Sequence, residues 1–89
     1  MRLAKLTIGN VNSTVGATRA NTDAVLAMVE TAAADNAWLI AFPEQVIGGY
    51  PAEDLVQWRG FVAAQRAALN RLAAGTRDLP TIIVVGAVM

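Results

Sequence analysis

One carboxylate in this sequence stands where chemistry is expected. Glu44 follows a short apolar run, Trp38 to Phe42, that predicts a strand, and Pro43 ends this strand because proline lacks the N–H that a sheet needs. Ligands of open α/β sheets bind beyond the carboxyl ends of the strands. Next to Phe42 and close to Tyr50, the carboxylate would be partly desolvated, which would raise its pKa towards that of a general base. The competing interpretation, favoured by the physics alone, is a loop carboxylate that caps amides or pairs with an arginine.

The other polar features of the sequence are weaker candidates. Gly48-Gly49 is not followed by the Lys-Ser/Thr of a phosphate-binding loop, so a simple turn explains it. Glu53 and Asp54 are typical of the first turn of a helix, where acidic side chains stabilise the dipole. Asn10 and Asn12 could line the same site as the candidate carboxylate, although turn chemistry explains them equally well.

Hydrophobic spacing predicts five elements that would position these residues. The strands are expected over 3–11, 38–42 and 81–88, and the helices over 17–35 and 53–74. The last two strands are nearly continuous apolar runs, which is typical of strands covered on both faces. The order β-α-β-α-β, with helices long enough to cross over a sheet, predicts an α/β fold with parallel strands and right-handed crossovers.

Each predicted helix has one apolar face. On the first helix this face is a stripe at helical spacing, and Asn36 suits the left-handed residue that ends a helix. On the second helix the arginines are expected mostly away from the apolar face. The apolar positions are Val25, Met28, Val29 and Ala32 on the first helix, and Trp58, Phe61, Val62, Leu69 and Leu72 on the second.

Composition excludes several classes of function. The 89 residues include seven basic and seven acidic side chains but no Cys and no His, so the chain alone cannot form a Ser-His-Asp set, a Cys-His set or the usual zinc site. Zero net charge provides no field for nucleic acid or for a membrane surface. No apolar run reaches the roughly 18–20 residues of a membrane span. The absence of Cys favours the reducing cytoplasm. Lys5 is expected to be a solvated or edge side chain.

The predicted domain is incomplete. The composition is 55% hydrophobic, which is more apolar surface than so short a chain can bury alone. The chain also ends at Met89, at or just beyond its most hydrophobic predicted strand. We therefore expect residues 1–89 to be the opening part of a larger α/β domain.

The segment from Ala41 to Pro51, Ala-Phe-Pro-Glu-Gln-Val-Ile-Gly-Gly-Tyr-Pro, resembles the Phe-Pro-Glu signature of the nitrilase superfamily of carbon–nitrogen hydrolases. The first strand, the Val15-Gly16 turn and a helix that carries Asn21 agree with this resemblance. The run Gly49 to Leu55, Gly-Tyr-Pro-Ala-Glu-Asp-Leu, is most similar to the glutaminase domain of glutamine-dependent NAD synthetases. The resemblance covers essentially the whole chain and implies the opening β-α-β-α-β portion of an α-β-β-α sandwich.

The resemblance also implies a mechanism and its residues. The family uses a Glu-Lys-Cys triad, in which a thiolate attacks the amide, Glu transfers protons and Lys stabilises the oxyanion. Glu44 stands at the position of the general base, and Tyr50 matches a position that shapes the amidase pocket. The family lysine and cysteine come from segments beyond Met89, and Lys5 does not match that lysine. We therefore expect the isolated chain to be inactive.

The resemblance extends to cofactors and partners. No cofactor is expected in these residues, and ATP and Mg belong to a synthetase domain of the longer parent, which is absent here. The expected partners are glutamine in the parent and either a second copy of the chain or the rest of the domain. Two alternatives stay open. One is another nitrilase-type amidase or nitrile hydrolase, and the other is a non-catalytic remnant that packs an exposed strand against a partner.

Overall fold

Three short parallel strands and two helices form the described part of the chain. The computed structural model describes residues 4–11, 13–14, 16–43, 46–49 and 59–87. The elements are β1 Leu6–Ile8, α1 Thr18–Ala34, β2 Leu39–Ala41, α2 Arg59–Gly75 and β3 Ile82–Val84. The strand order is β1-β2-β3, and both pairs are parallel. The predicted α/β class and β-α-β-α-β order are confirmed, although each strand is shorter than the apolar run that predicted it.

Helix α1 matches its predicted face and its predicted end. Val25 and Val29 are fully buried and Ala32 is nearly so, which confirms the stripe at helical spacing. Asn36 adopts a left-handed φ of 61° just after the helix. Its N–H donates to the Ala33 carbonyl at 3.0 Å, and the next N–H, of Ala37, donates to the Ala32 carbonyl at 3.0 Å. These two bonds form a Schellman motif, which satisfies carbonyls that the helix end would leave without donors.

Helix α2 buries a different set of residues from the predicted set. Leu72 is buried as predicted, but so are Ala68 and, completely, Gln65. The predicted helix start at Glu53 and the aromatic ring of Trp58 lie outside the described residues. The arginines are exposed as predicted, at Arg59, Arg66 and Arg71. The apolar spacing therefore identified the helix but not the polar side chain at the centre of its packed face.

The two faces of the sheet have opposite environments. Thr7, Ile40 and Ile83 are partners in register and point towards the helices, and Ile40 is 1% exposed. The alternate residues of each strand point away from the helices. They are apolar, and those of the two edge strands are about half exposed or more: Leu6 63%, Ile8 84%, Ile82 47% and Val84 50%. We call the surface formed by Leu6, Ile8, Leu39, Ala41, Ile82 and Val84 the open sheet face.

The open sheet face corrects one prediction. The apolar runs of the second and third strands predicted cover on both faces, but Ile82 and Val84 of β3 are half exposed. The reason is the placement of the helices: α1 and α2 contact each other and both lie against the Ile40 face. The strands therefore have the composition of a doubly covered sheet, whereas the described elements cover only one side. Neither described helix combines the length and apolarity needed to cross a membrane.

Candidate active site at the carboxyl ends of the strands

The predicted site lies where the chain leaves β2. Glu44 and Tyr50, the predicted general base and pocket residue, are outside the described residues, and so is Asn12. The segments around them are described. Pro43 precedes Glu44 and is exposed, whereas residues 46–49, between the two predicted site residues, are all buried. The surroundings of the site can therefore be built from Phe42, from residues 46–49 and from the elements that hold them.

The exit from β2 is held on both sides by backbone hydrogen bonds and by a close aromatic contact. The Phe42 N–H donates to the Val84 carbonyl at 3.0 Å, and the Gly9 N–H donates to the Ala41 carbonyl at 2.7 Å. A Cβ at Gly9 would lie 2.4 Å from Cε1 of the Phe42 ring, so only glycine permits this approach. Phe42 thus packs across the end of β1. This contact places the start of the Pro-Glu segment beside the carboxyl ends of all three strands.

Residues 46–49 form a buried turn, which we call the strand-exit turn. Val46 is 1% exposed, Ile47 is fully buried and the two glycines are also buried. Gly49 has a φ of +86°, a left-handed conformation that favours glycine. Because a buried turn cannot rely on water for its backbone groups, its carbonyls need partners within the protein.

Those partners come from the segment that follows β1. Nδ2 of Asn21, a side chain that is 4% exposed, donates to the Ile47 carbonyl at 2.9 Å and to the Thr14 carbonyl at 2.8 Å. Oδ1 of Asn21 accepts from the Thr14 N–H at 2.9 Å. The next carbonyl of the turn, that of Gly48, accepts from the Gly16 N–H at 2.9 Å. Two consecutive carbonyls of the strand-exit turn are therefore held, one by the start of α1 and one by the loop that precedes it.

Asn21 was part of the sequence resemblance, but its role could not be found from the sequence. It lies among polar neighbours near the start of α1, and its partner Ile47 is 26 residues away. Asn10 is exposed and forms no hydrogen bond to the described residues of this network. The asparagine that contacts the strand-exit turn is therefore Asn21, near the start of α1, and not Asn10, after β1.

Helix α2 packs against another side of the strand-exit turn. A Cβ at Gly48 would lie 2.0 Å from Nε2 of Gln65 and 2.7 Å from Cζ of Phe61. Gly48 is therefore needed for a close approach of the helix to the turn, and no phosphate-binding role is required to explain it. Gln65 is fully buried, and within the described structure both its Nε2 and its Oε1 lack a hydrogen-bond partner.

The remaining chemical candidates are structural. Lys5 is exposed and pairs with the Asp35 carboxylate, which confirms that it is a solvated side chain. An apolar groove of about 400 Å³ lies between β1 and α1, with Thr7 and Met28 in its lining. In the ranges that the structure describes, no group of three or more His, Cys, Asp or Glu side chains could hold a metal ion.

Known proteins include homologues of this chain. No protein-family model matches the chain. A glutamine-dependent NAD(+) synthetase of Xanthomonas campestris is 40% identical over 70 residues, which are 78% of this chain and 13% of that protein. Those of Rhodobacter capsulatus and Aquifex aeolicus are 35% and 31% identical over 92% and 94% of this chain, and 15% of each relative. The chain is a homologue of part of these synthetases.

The homology to glutamine-dependent NAD(+) synthetases confirms the resemblance found in the sequence. The match to the Aquifex aeolicus synthetase takes in 84 residues, so it includes Glu44 and Tyr50 wherever it begins. The chain spans only about 13–15% of the length of these three relatives. Most of a synthetase of that kind thus has no counterpart in these 89 residues.

Proposed function

We propose that the chain is the N-terminal portion of the glutaminase domain of a glutamine-dependent NAD synthetase, with a nitrilase-type fold and Glu44 as its general base. The observation that carries this proposal is the position of the Phe-Pro-Glu run. It leaves the central strand of a parallel sheet at the carboxyl end, next to a buried turn in which the carbonyls of Ile47 and Gly48 are hydrogen-bonded to the segment after β1. Homology to the synthetases supports the substrate, glutamine. Tyr50 would line the pocket from the far end of that turn.

The proposed chemistry divides the work between this chain and the rest of the polypeptide. A cysteine from elsewhere in the protein loses its thiol proton to Glu44 and attacks the amide carbon of glutamine. Glu44 then gives that proton to the leaving nitrogen, and ammonia departs. In the second half Glu44 takes a proton from the water that attacks the thioester carbon, and it returns this proton to the cysteine sulfur as the C–S bond breaks and glutamate leaves. A lysine outside this chain stabilises the oxyanion, since Lys5 is exposed and paired with Asp35.

The open sheet face supports the proposed domain architecture. It presents six apolar residues, in two rows of three, on the side of the sheet opposite the helices. A second sheet contributed by the rest of the domain would cover these rows, since facing sheets pack about 10 Å apart through such apolar side chains. The result would be the α-β-β-α sandwich that the resemblance implies. The remainder of the parent would carry the ATP- and Mg-dependent synthetase step.

The test uses a chimera, in which this chain replaces its matching segment in the Xanthomonas campestris synthetase. Glu44→Gln in the chimera should lower glutamine-driven NAD formation by at least about 100-fold, because a positioned general base contributes about that factor or more. Ammonia-driven formation should be unchanged, because free ammonia needs no glutaminase. Equal loss of both activities would mean that Glu44 is structural. The isolated chain should release no ammonia from glutamine, since loss of a nucleophile costs about 10⁶-fold.

A second candidate function rests on the same open sheet face. A non-catalytic module could use these apolar rows to pack against a partner chain. Size-exclusion chromatography of the isolated chain separates the two: a stable, soluble monomer would favour an independent module, and aggregation would favour a portion of a larger domain. The homology to synthetases favours the larger domain.

A further inference from the structure

We propose that Asn21 is a positioning residue for glutamine hydrolysis, an inference that rests on the proposed function of Glu44. Its carboxamide ties the strand-exit turn to the loop after β1 and so sets the position of the segment on which Glu44 and Tyr50 stand. In the sequence, Glu44 lies three residues before Ile47, and Tyr50 lies three residues after it. The strand-exit turn is therefore part of the short stretch of chain that connects the two proposed site residues.

The hydrogen bonds use the full capacity of the amide donor. Both hydrogens of Nδ2 are given to carbonyls, one to Ile47 and one to Thr14, while Oδ1 accepts from the Thr14 N–H. Only a primary carboxamide offers two donors and an acceptor on one short side chain. Aspartate keeps the acceptor for Thr14 but offers no donor to the two carbonyls. Alanine loses all three bonds.

The location of these bonds indicates that they position the strand-exit turn and do not merely stabilise a helix or a strand. Asn21 does not complete a helix or a strand; it joins two loops at the carboxyl end of the sheet. Thr22, the next residue, is also buried, but its hydroxyl donates to the Thr18 carbonyl within α1. The two neighbours thus offer a matched pair: one buried polar side chain that reaches the strand-exit turn, and one that does not.

The structural arm of the test is hydrogen exchange of the chimera, measured at the amides of residues 14 and 16. Asn21→Asp should speed exchange of the Gly16 amide by about tenfold, because its acceptor on Gly48 is no longer held, and should leave the Thr14 amide protected. Asn21→Ala should expose both amides, and Thr22→Val should expose neither. Unchanged exchange at Gly16 in both Asn21 variants would overturn the proposal, because the turn would then be held without the side chain.

The catalytic arm uses the chimera and its ammonia-driven activity as an internal reference. Asn21→Asp and Asn21→Ala should each lower kcat for glutamine by about 10²-fold, the cost of a misplacement of about 1 Å, with ammonia-driven formation unchanged. Thr22→Val should alter neither. If Glu44→Gln abolishes glutamine use but both Asn21 variants keep it, positioning by Asn21 is wrong and the proposed function stands. If Glu44→Gln has no effect, the proposed function itself fails. Loss of ammonia-driven activity in the Asn21 variants would indicate a merely structural role.

Discussion

Replacing Gln65 with methionine should stabilise the chain, although glutamine lies at the centre of its packed helix face. Gln65 is fully buried on α2, and in the described structure neither polar atom of its amide has a partner. A buried polar group without a hydrogen bond costs about 1–3 kcal/mol. Methionine has nearly the same length and shape and carries no polar group that must be satisfied. Gln65→Met should therefore raise the free energy of unfolding by about 1–2 kcal/mol, allowing for imperfect packing of the new side chain.

Urea unfolding of the 89-residue chain measures this effect, at a protein concentration below the one at which light scattering detects aggregation. With a slope of about 1.5 kcal/mol per molar urea, a gain of about 1.5 kcal/mol moves the midpoint upwards by about 1 M. Asn70→Met is a matched control on the exposed side of the same helix, where only helix propensity changes and the gain should stay below about 0.5 kcal/mol. A midpoint for Gln65→Met that is equal to or below that of the unchanged chain would refute the reasoning, since it would mean that the amide is satisfied.

Two further substitutions test the packing around the site and the open sheet face. Gly48→Ala should cost about 1–3 kcal/mol in the same urea assay, because its Cβ would lie 2.0 Å from Nε2 of Gln65. The cost of Gly48→Ala should be smaller in a Gln65→Ala background, where only the Phe61 ring stays too close, and strictly additive effects would contradict the contact. Val84→Lys should reduce aggregation of the isolated chain in light scattering but lower the melting temperature of the chimera, where a second sheet would bury the charge. A chimera with an unchanged melting temperature would argue against a covered face.

Local patterns in the sequence were enough to predict the elements and their order. The stripe through Val25 and Val29 identified α1, because helical spacing and burial are both set within a few turns. The end of that helix followed from Asn36, whose short polar side chain tolerates the left-handed conformation. Parallel pairing followed from two connections long enough to contain helices.

Features that depend on distant partners were not predictable in this way. The burial of Gln65 against Gly48, and the bonds from Asn21 to the strand-exit turn, join residues 17 and 26 positions apart. No periodicity encodes such pairs. The prediction that β3 is buried on both faces was wrong for a related reason. The composition of Ile82 to Val84 is typical of a strand covered on both faces, but the described elements cover only one face.

The most direct measurement of the central claim is the glutamine-driven rate of the unsubstituted chimera, compared with its ammonia-driven rate. If these residues form the general-base portion of a glutaminase site, the chimera should use glutamine at a rate within about tenfold of its ammonia-driven rate, a loss of about 1.4 kcal/mol for an imperfect fit between the segments. A chimera that makes NAD from ammonia at full rate but not from glutamine would contradict the claim, because the segment would then fold in place without supplying the site.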